Sequence, residues 1–423
     1  MKTLSRWIVV SYLLSLTALS CSGLSPTPAA ETQSLLVGAA SVAINPEDGI
    51  YLAGYGHGRA STGVHDDLFI KAVLFDDGKT PVALVVVDAV SLQYPTVQEI
   101  REAASNSTQA LTLSPERVIV QATHTHAAPD TIGIYGPDAA TNGVNPHYMK
   151  RLVQMAGAQV ARAAATRRPA TLRYAETVCA GWAVNDSEPD VLDSSVVILQ
   201  CLDEAGQSIA TLTHFACHPT VLDGNNTLIS ADWVGAFYKA MAEALPGEHL
   251  FLQGAIGAWI QPKTPERTFA LAEKYGKDLA EKTLAALQNA APIHEYGIRA
   301  ANKPFIMPME NEGFRLMRDT GLLLRDMDDT GIPTEVAWFA IGPAQFATHP
   351  GETAPLFSFQ TRELMKTSPK FVLGLGLDHL GYICPPSFFE NPKGIPFAEY
   401  QISMSPGEKA GPAMMAALKE IIP

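Results

Sequence analysis

Four short apolar runs in this chain end alike. "RVIVQA" leads into "THTHAAPD", "ATLTHFA" into "CHPT", "AQFAT" into "HPGETAP", and "FVLGLGL" into "DHLGYI". Short apolar runs that stop at turn residues read as buried strands. Each delivers side chains that can hold a metal: His124 and His126, then His218, then His349 and Glu352, then Asp378, His379 and Tyr382. In α/β sheets, ligands bind outside the carboxyl ends of the strands. A chain with four such ends must therefore build sheets that bring them together.

The rest of the sequence supplies the covering layers. "LFIKAVLFDDGKTPVALVVVDAV" reads as a hairpin around an Asp-Asp-Gly-Lys turn. Further strands are expected in "SLLVGAASVAI", "TLRYAETVCAG", "SSVVILQCLD", "IRAANKPFIMPM" and "EVAWFAIGPAQFATHP". Apolar residues recurring every three or four positions predict helices in "PTVQEIREAASNS", "PHYMKRLVQMAGAQVARAAAT", "ADWVGAFYKAMAEAL", "FALAEKYGKDLAEKTLAALQNA", "APLFSFQTRELMKT" and "GPAMMAALKEII". Strands outnumber helices and several are hairpin-linked. The expected fold class is α/β, with mixed β-sheets layered with helices rather than a strict alternation.

"MKTLSRWIVVSYLLSLTALSC" pairs Lys2 and Arg6 with an apolar stretch and a cysteine. That is the pattern of a secretory signal, and Cys21 stands where a bacterial lipoprotein is cleaved. Residues 1–21 are thus expected to be a signal peptide. The Ser-, Pro- and Ala-rich 22–33 would be a tether, and 34–423 one catalytic domain. The expected location is exported and membrane-anchored through a lipid on Cys21. A net charge of -13 argues against nucleic acid as a partner. Cys179, Cys201, Cys217 and Cys384 contain no CxxC pair, so buried free thiols are expected, with one disulfide possible. Oligomeric state is not legible.

On a strand, residues two apart share a face, so His124 and His126 should project together. His214 should share a face with His218 four residues on. Two imidazoles side by side suggest a divalent metal, usually zinc. The plainer reading of each histidine is a satisfied core residue, but four strand ends of one kind favour the metal. Asp130 or Asp378 could orient an imidazole, or could cap a turn.

The ordered set "THTHAAP", "FACHPT", "SADWVG", "HPGE" and "DHLGYI" resembles the neutral ceramidase family over about residues 36–405. The resemblance implies a neutral-ceramidase-like catalytic domain without the family's C-terminal immunoglobulin-like domain. It implies zinc (Zn2+) held by His124, His218, Glu352 and Tyr382. It implies His126 off the metal, near the bound water and the substrate amide, and Tyr400 in contact with substrate; the chemistry of such a site makes His126 the candidate to move a proton and Tyr382 a catalytic donor to the developing oxyanion. Two departures stand out. "GAWI", Gly257 to Ile260, replaces the family's Gly-Asp-x-Ser segment, removing an acid and a hydroxyl. Asp186 stands at the position of a substrate-binding arginine.

Hydrolysis of an amide needs no serine when activated water is the nucleophile. The expected activity is a zinc-dependent amidohydrolase acting on a small-molecule or lipid-like N-acyl amide, with ceramide itself a poor substrate. The alternative is a catalytically inactive metal- or ligand-binding surface lipoprotein of the same fold.

Overall fold

The computed structural model describes residues 34–423; the signal, Cys21 and the tether lie outside the described residues. Its main layer is a nine-stranded sheet, mostly antiparallel. From one edge the strands run Glu248–Gln253, Ser208–Phe215, Ser195–Asp203, Arg168–Val178, Leu35–Ala43, Phe69–Asp76, Val82–Val87 and Val118–Ala122, with Ala291–Ile293 joined to Arg168–Val178. Only the two outermost pairings are parallel. The expected hairpin is present, with Ile70 opposite Val87 and Phe75 opposite Val82.

The two edge strands meet. Gln121 Nε2 donates to Gln253 O at 2.6 Å, and Gln253 Nε2 donates to Thr123 O at 2.9 Å. Both amides are buried, so each answers backbone groups that an open edge would leave unpaired. Their pairing sets the carboxyl ends of Val118–Ala122 and Glu248–Gln253 side by side. Ser208–Phe215, parallel to the latter, ends there as well.

A smaller sheet runs Ile298–Met307, Ile332–Ile341, Ala344–Thr348, Lys370–Leu373. The segment "EVAWFAIGPAQFATHP" is therefore two strands, turning at Gly342, whose φ is 54°. The loop after Lys370–Leu373 docks the small sheet on the seam. Gly374 N donates to Gln253 O at 3.0 Å, and Leu377 N to Val120 O at 2.8 Å. The backbone turns left-handed at Leu375 and Leu377 to do so, which ends the strand sooner than its apolar run suggested.

Helices Tyr94–Ser107, Pro146–Thr166, Trp233–Ala244 and Phe269–Leu287 bury their apolar stripes as their periodicity predicts. Asn145 caps the longest of them, accepting from His147 N and Tyr148 N. Pro355–Leu364 and Ala410–Ile421 belong to the small sheet's core, with Phe357, Met414 and Leu418 buried. Among the described residues no helix is long and apolar enough to cross a membrane. Cys179, Cys201, Cys217 and Cys384 are all free and buried, so none of the four is in a disulfide.

Candidate metal centre

The Val118 strand ends at Ala122, two residues before the first histidine. His124 has a φ of 73°, outside any strand conformation. The shared-face argument for His124 and His126 therefore does not hold: a left-handed kink after the strand, not strand alternation, aims both rings. The two ring centroids lie 4.8 Å apart, and that of His218 lies 4.9 Å from His124. The side-chain ligand atoms of His124, His126 and His218 all lie within 4.8 Å of one another.

Glu352 enters from the small sheet. Its short strand pairs in parallel with Tyr382–Ile383, Glu352 beside Tyr382. Glu352 Oε2 stands 3.2 Å from His218 Nε2 and 3.5 Å from His124 Nε2. All three side chains are buried.

The outer nitrogens bear on what this arrangement could hold. His124 Nδ1 donates to Val90 O at 2.5 Å, and His218 Nδ1 donates to Ile260 O. A neutral ring that donates from Nδ1 has a bare lone pair at Nε2. Two such lone pairs then face one carboxylate oxygen in a buried pocket. The three repel unless a positive charge lies among them. Ligand atoms roughly 2.0–2.1 Å from a tetrahedral zinc stand about 3.3 Å apart, and the two N···O separations bracket that value. Two imidazoles and a carboxylate are a donor set that zinc accepts.

Burial alone would raise the Glu352 carboxyl, whereas positive charge on the facing His124 and His218 nitrogens would hold it well below the usual range. Burial, with His124 and His218 nearby, pushes His126 well below an ordinary imidazole, so its ring is neutral. Neither His126 nitrogen has a hydrogen-bond partner. Its ring is held by contact and by its backbone. Tyr55 meets it edge-on at 5.0 Å, and Arg59 Nη2 donates to its carbonyl. Gly54, at φ 97°, leaves the space it fills: a Cβ there would stand 2.2 Å from the His126 ring. Burial, then the Glu352 charge, raises Tyr382 well above an ordinary phenol, so it keeps its proton.

Other strand-end histidines go elsewhere. His214 Nε2 bonds Val372 O at 2.9 Å, and so does not share the pocket with His218. His349 sits between Thr353 Oγ1 at 2.8 Å and Thr361 Oγ1 at 2.9 Å. His379 lies near, its ring centroid 6.4 Å from that of His124; burial lowers its pKa to about 4. Neither candidate carboxylate orients an imidazole. Asp130 accepts from the backbone of Ile132, Gly133 and Tyr135, a turn cap. Asp378 is held by Arg325 and Thr334. Backbone carbonyls take the orienting role, and no residue-type signal in the sequence marks Val90 and Ile260 for it.

Tyr400 is half exposed, its ring 6.1 Å from Tyr382 and 5.3 Å from Trp259. Trp259 also stacks on Phe397 at 4.8 Å and lies parallel to Tyr382 at 6.3 Å. Asp186 N donates to Trp259 O at 3.3 Å, which places the Asp186 backbone against that of Trp259. Sequence reasoning missed Trp259 and Phe397. Ala258 and Ile260 are buried, and neither brings an acid or hydroxyl to the site.

Fold and pocket together define a class: a mixed α/β protein with a buried His–His–Glu centre at joined strand ends. The family model for the neutral/alkaline non-lysosomal ceramidase N-terminal domain matches residues 36–261, more than half of the 423 residues. The chain belongs to that family. It is 24% identical over 283 residues to a neutral ceramidase of Mycobacterium tuberculosis, covering 57% of this chain. The matched stretch spans 44% of that relative's length. The crystal structure of neutral ceramidase from Pseudomonas aeruginosa matches with a TM-score of 0.75 at 15% identity, over 92% of this chain and 75% of that one. A ceramidase complexed with C2 matches at 0.75 and 14% identity, with the same coverage. At such identity the likeness shows the fold.

Proposed function

We propose that the protein is a zinc-dependent amidohydrolase of the ceramidase kind, cleaving an N-acyl amide. The observation that carries this reading is the pair of Nε2 lone pairs turned on Glu352 Oε2, with both Nδ1 donors held by carbonyls. His124, His218 and Glu352 would hold the metal, with Tyr382 beside Glu352 as a fourth, weaker donor. When bound, the metal polarises the amide carbonyl and makes a water acidic near neutral pH.

The chain's own residues do the rest. His126 is neutral and both of its nitrogens are unpartnered, so it is suited to carry a proton to the leaving nitrogen. Tyr382 keeps its proton and can donate to an oxyanion developing at the carbonyl. On this reading Tyr400 and Asp186 would contact the substrate. Absence of any hydroxyl at Ile260 favours a water over a protein nucleophile, and makes long-chain ceramide a poor substrate. That same absence is the observation behind the alternative, a non-catalytic metal-binding relative.

Metal analysis of the purified protein, combined with a screen of N-acyl amides and esters, decides between them. About one zinc per chain with turnover of some amide supports the hydrolase. Zinc without turnover on any member supports the binder, and no metal contradicts both. We also propose export, with a lipid anchor on Cys21. Mass spectrometry of the mature N-terminus should find diacylated Cys21; cleavage elsewhere contradicts it.

A further inference from the structure

Three segments meet beside the pocket. Ser187 N donates to Ala258 O, and Asp186 N to Trp259 O. Ser187 Oγ donates to Pro396 O at 2.7 Å, and Gln401 Nε2 to Ser187 Oγ at 2.9 Å. Gln401 Oε1 accepts from Ala258 N at 2.9 Å, and the Gln401 side chain is fully buried. One buried amide thus ties Ser187 and Ala258 to the short helix Ala398–Ser403.

The backbone at this junction is held in an uncommon state. Ala258, Trp259 and Phe397 have φ of 61°, 64° and 61°. Non-glycine residues at positive φ cost free energy and cluster at functional sites. Here the strain has a visible product. The Trp259 ring stacks on Phe397, lies parallel to Tyr382 and meets Tyr400 at a steep angle. Phe397 is 49% and Tyr400 50% exposed, so both keep ring surface open to a ligand. Asp186 adds a negative charge. Its carboxylate accepts from the neutral Gln261 amide, and among the described residues no lysine, arginine or histidine pairs with it. Asp186 is joined to Trp259 through the backbone, and aromatic faces combined with an unneutralised carboxylate are the chemistry that recognises an organic cation.

We propose that Asp186, Trp259, Phe397 and Tyr400 form a subsite for a positively charged group on the amine side of the substrate. The preferred substrate class is then an N-acylated diamine or quaternary amine rather than a neutral amino alcohol. This rests on the amidohydrolase reading for its placement next to the scissile bond, but its binding test does not.

The test uses three soluble secondary amides that share one acyl chain: N-hexanoyl derivatives of (2-aminoethyl)trimethylammonium (cationic), ethanolamine (neutral) and glycine (anionic). Calorimetry measures binding to the zinc-loaded protein, and amine release measures turnover. The cationic amide should bind about 10-fold more tightly than the neutral one. D186N should bring that ratio below about 2, and W259F should keep most of it. Equal binding of cationic and neutral amides, or a ratio unchanged in D186N, overturns the subsite. Charge-selective binding without turnover of any of the three keeps the subsite and counts against the hydrolase. Turnover without charge selectivity does the reverse.

Discussion

His218 and His349 both follow buried strands that end in a proline turn, yet they lie in contrasting regions. His218 and its neighbour His124 each have one nitrogen on a carbonyl and the other aimed at a carboxylate. His349 has both nitrogens on threonine hydroxyls. Hydroxyls can donate or accept, so that knot satisfies a neutral imidazole completely. A carboxylate can only accept, so the pocket is complete only with a cation. If the proposed metal reading holds, the contrast teaches that a strand-end histidine becomes a ligand through the partner its second nitrogen meets, not through its position in the chain.

The largest effect expected from that contrast is on the pocket side. H124A and H218A should each lose stoichiometric zinc by elemental analysis, and amide turnover with it. Zinc retained at one per chain in either variant breaks the assigned ligand set.

His126 sharpens the boundary of the pocket. H126A should retain zinc while kcat falls roughly 100- to 10,000-fold, the contribution of a general acid or base. Unchanged activity would reduce His126 to a space-filling residue. Joint loss of metal and activity would make it a ligand.

On the knot side the expected loss is of stability instead. H349Q should lower unfolding free energy by about 2–4 kcal/mol, since two buried hydroxyls lose their partner. Its zinc affinity should stay within about threefold, well short of the tenfold or greater loss that a group orienting a ligand produces. Denaturant titration and a chelator competition measure the two. An equal loss of metal in H349Q would erase the distinction.

Acid gives a smaller, graded test. Burial lowers the pKa of His214 to about 4 and of His349 to about 3. Both are neutral in the fold, whereas in the unfolded chain each takes a proton below about pH 6.5. The unfolded state therefore binds more protons between those values. Stability contributed by these rings is full above pH 6.5 and falls with acid, by up to about 1.4 kcal/mol per pH unit per ring. H349Q should flatten the slope by one ring's share. An unchanged slope would show that His349 is not buried neutral.

The smallest effect concerns the thiols. All four described cysteines are free, so a reductant should move Tm by less than about 1 °C. A larger fall would reveal a disulfide.

Much of this is legible in the sequence alone. Long periodic helices such as Pro146–Thr166 and alternating or β-branched strands such as Ser195–Asp203 were readable because burial imposes a period on the sequence. The strand Glu248–Gln253 was missed: "EHLFLQ" is short and opens with a charge, and its role as an edge depends on Gln121 from far away in the chain. His124, His218 and Glu352 were readable as strand-end donors. Their aim was not, because it comes from a left-handed kink at His124 and from carbonyls of residues that carry no signal. His214 and His349 looked equally able to bind metal, and only long-range partners separate them. Trp259 was passed over for a related reason: its role arises from a stack with Tyr382 and Phe397, more than a hundred positions away.

The most direct test of the central claim is anomalous X-ray scattering from crystals of the zinc-loaded protein, recorded on both sides of the zinc absorption edge. One peak is expected, in contact with His124 Nε2, His218 Nε2 and Glu352 Oε2, and none beside His349. No peak among those three atoms, with the His124 and His218 rings found donating protons to Glu352 instead, would show that the pocket is an ion-pair network and contradict the account.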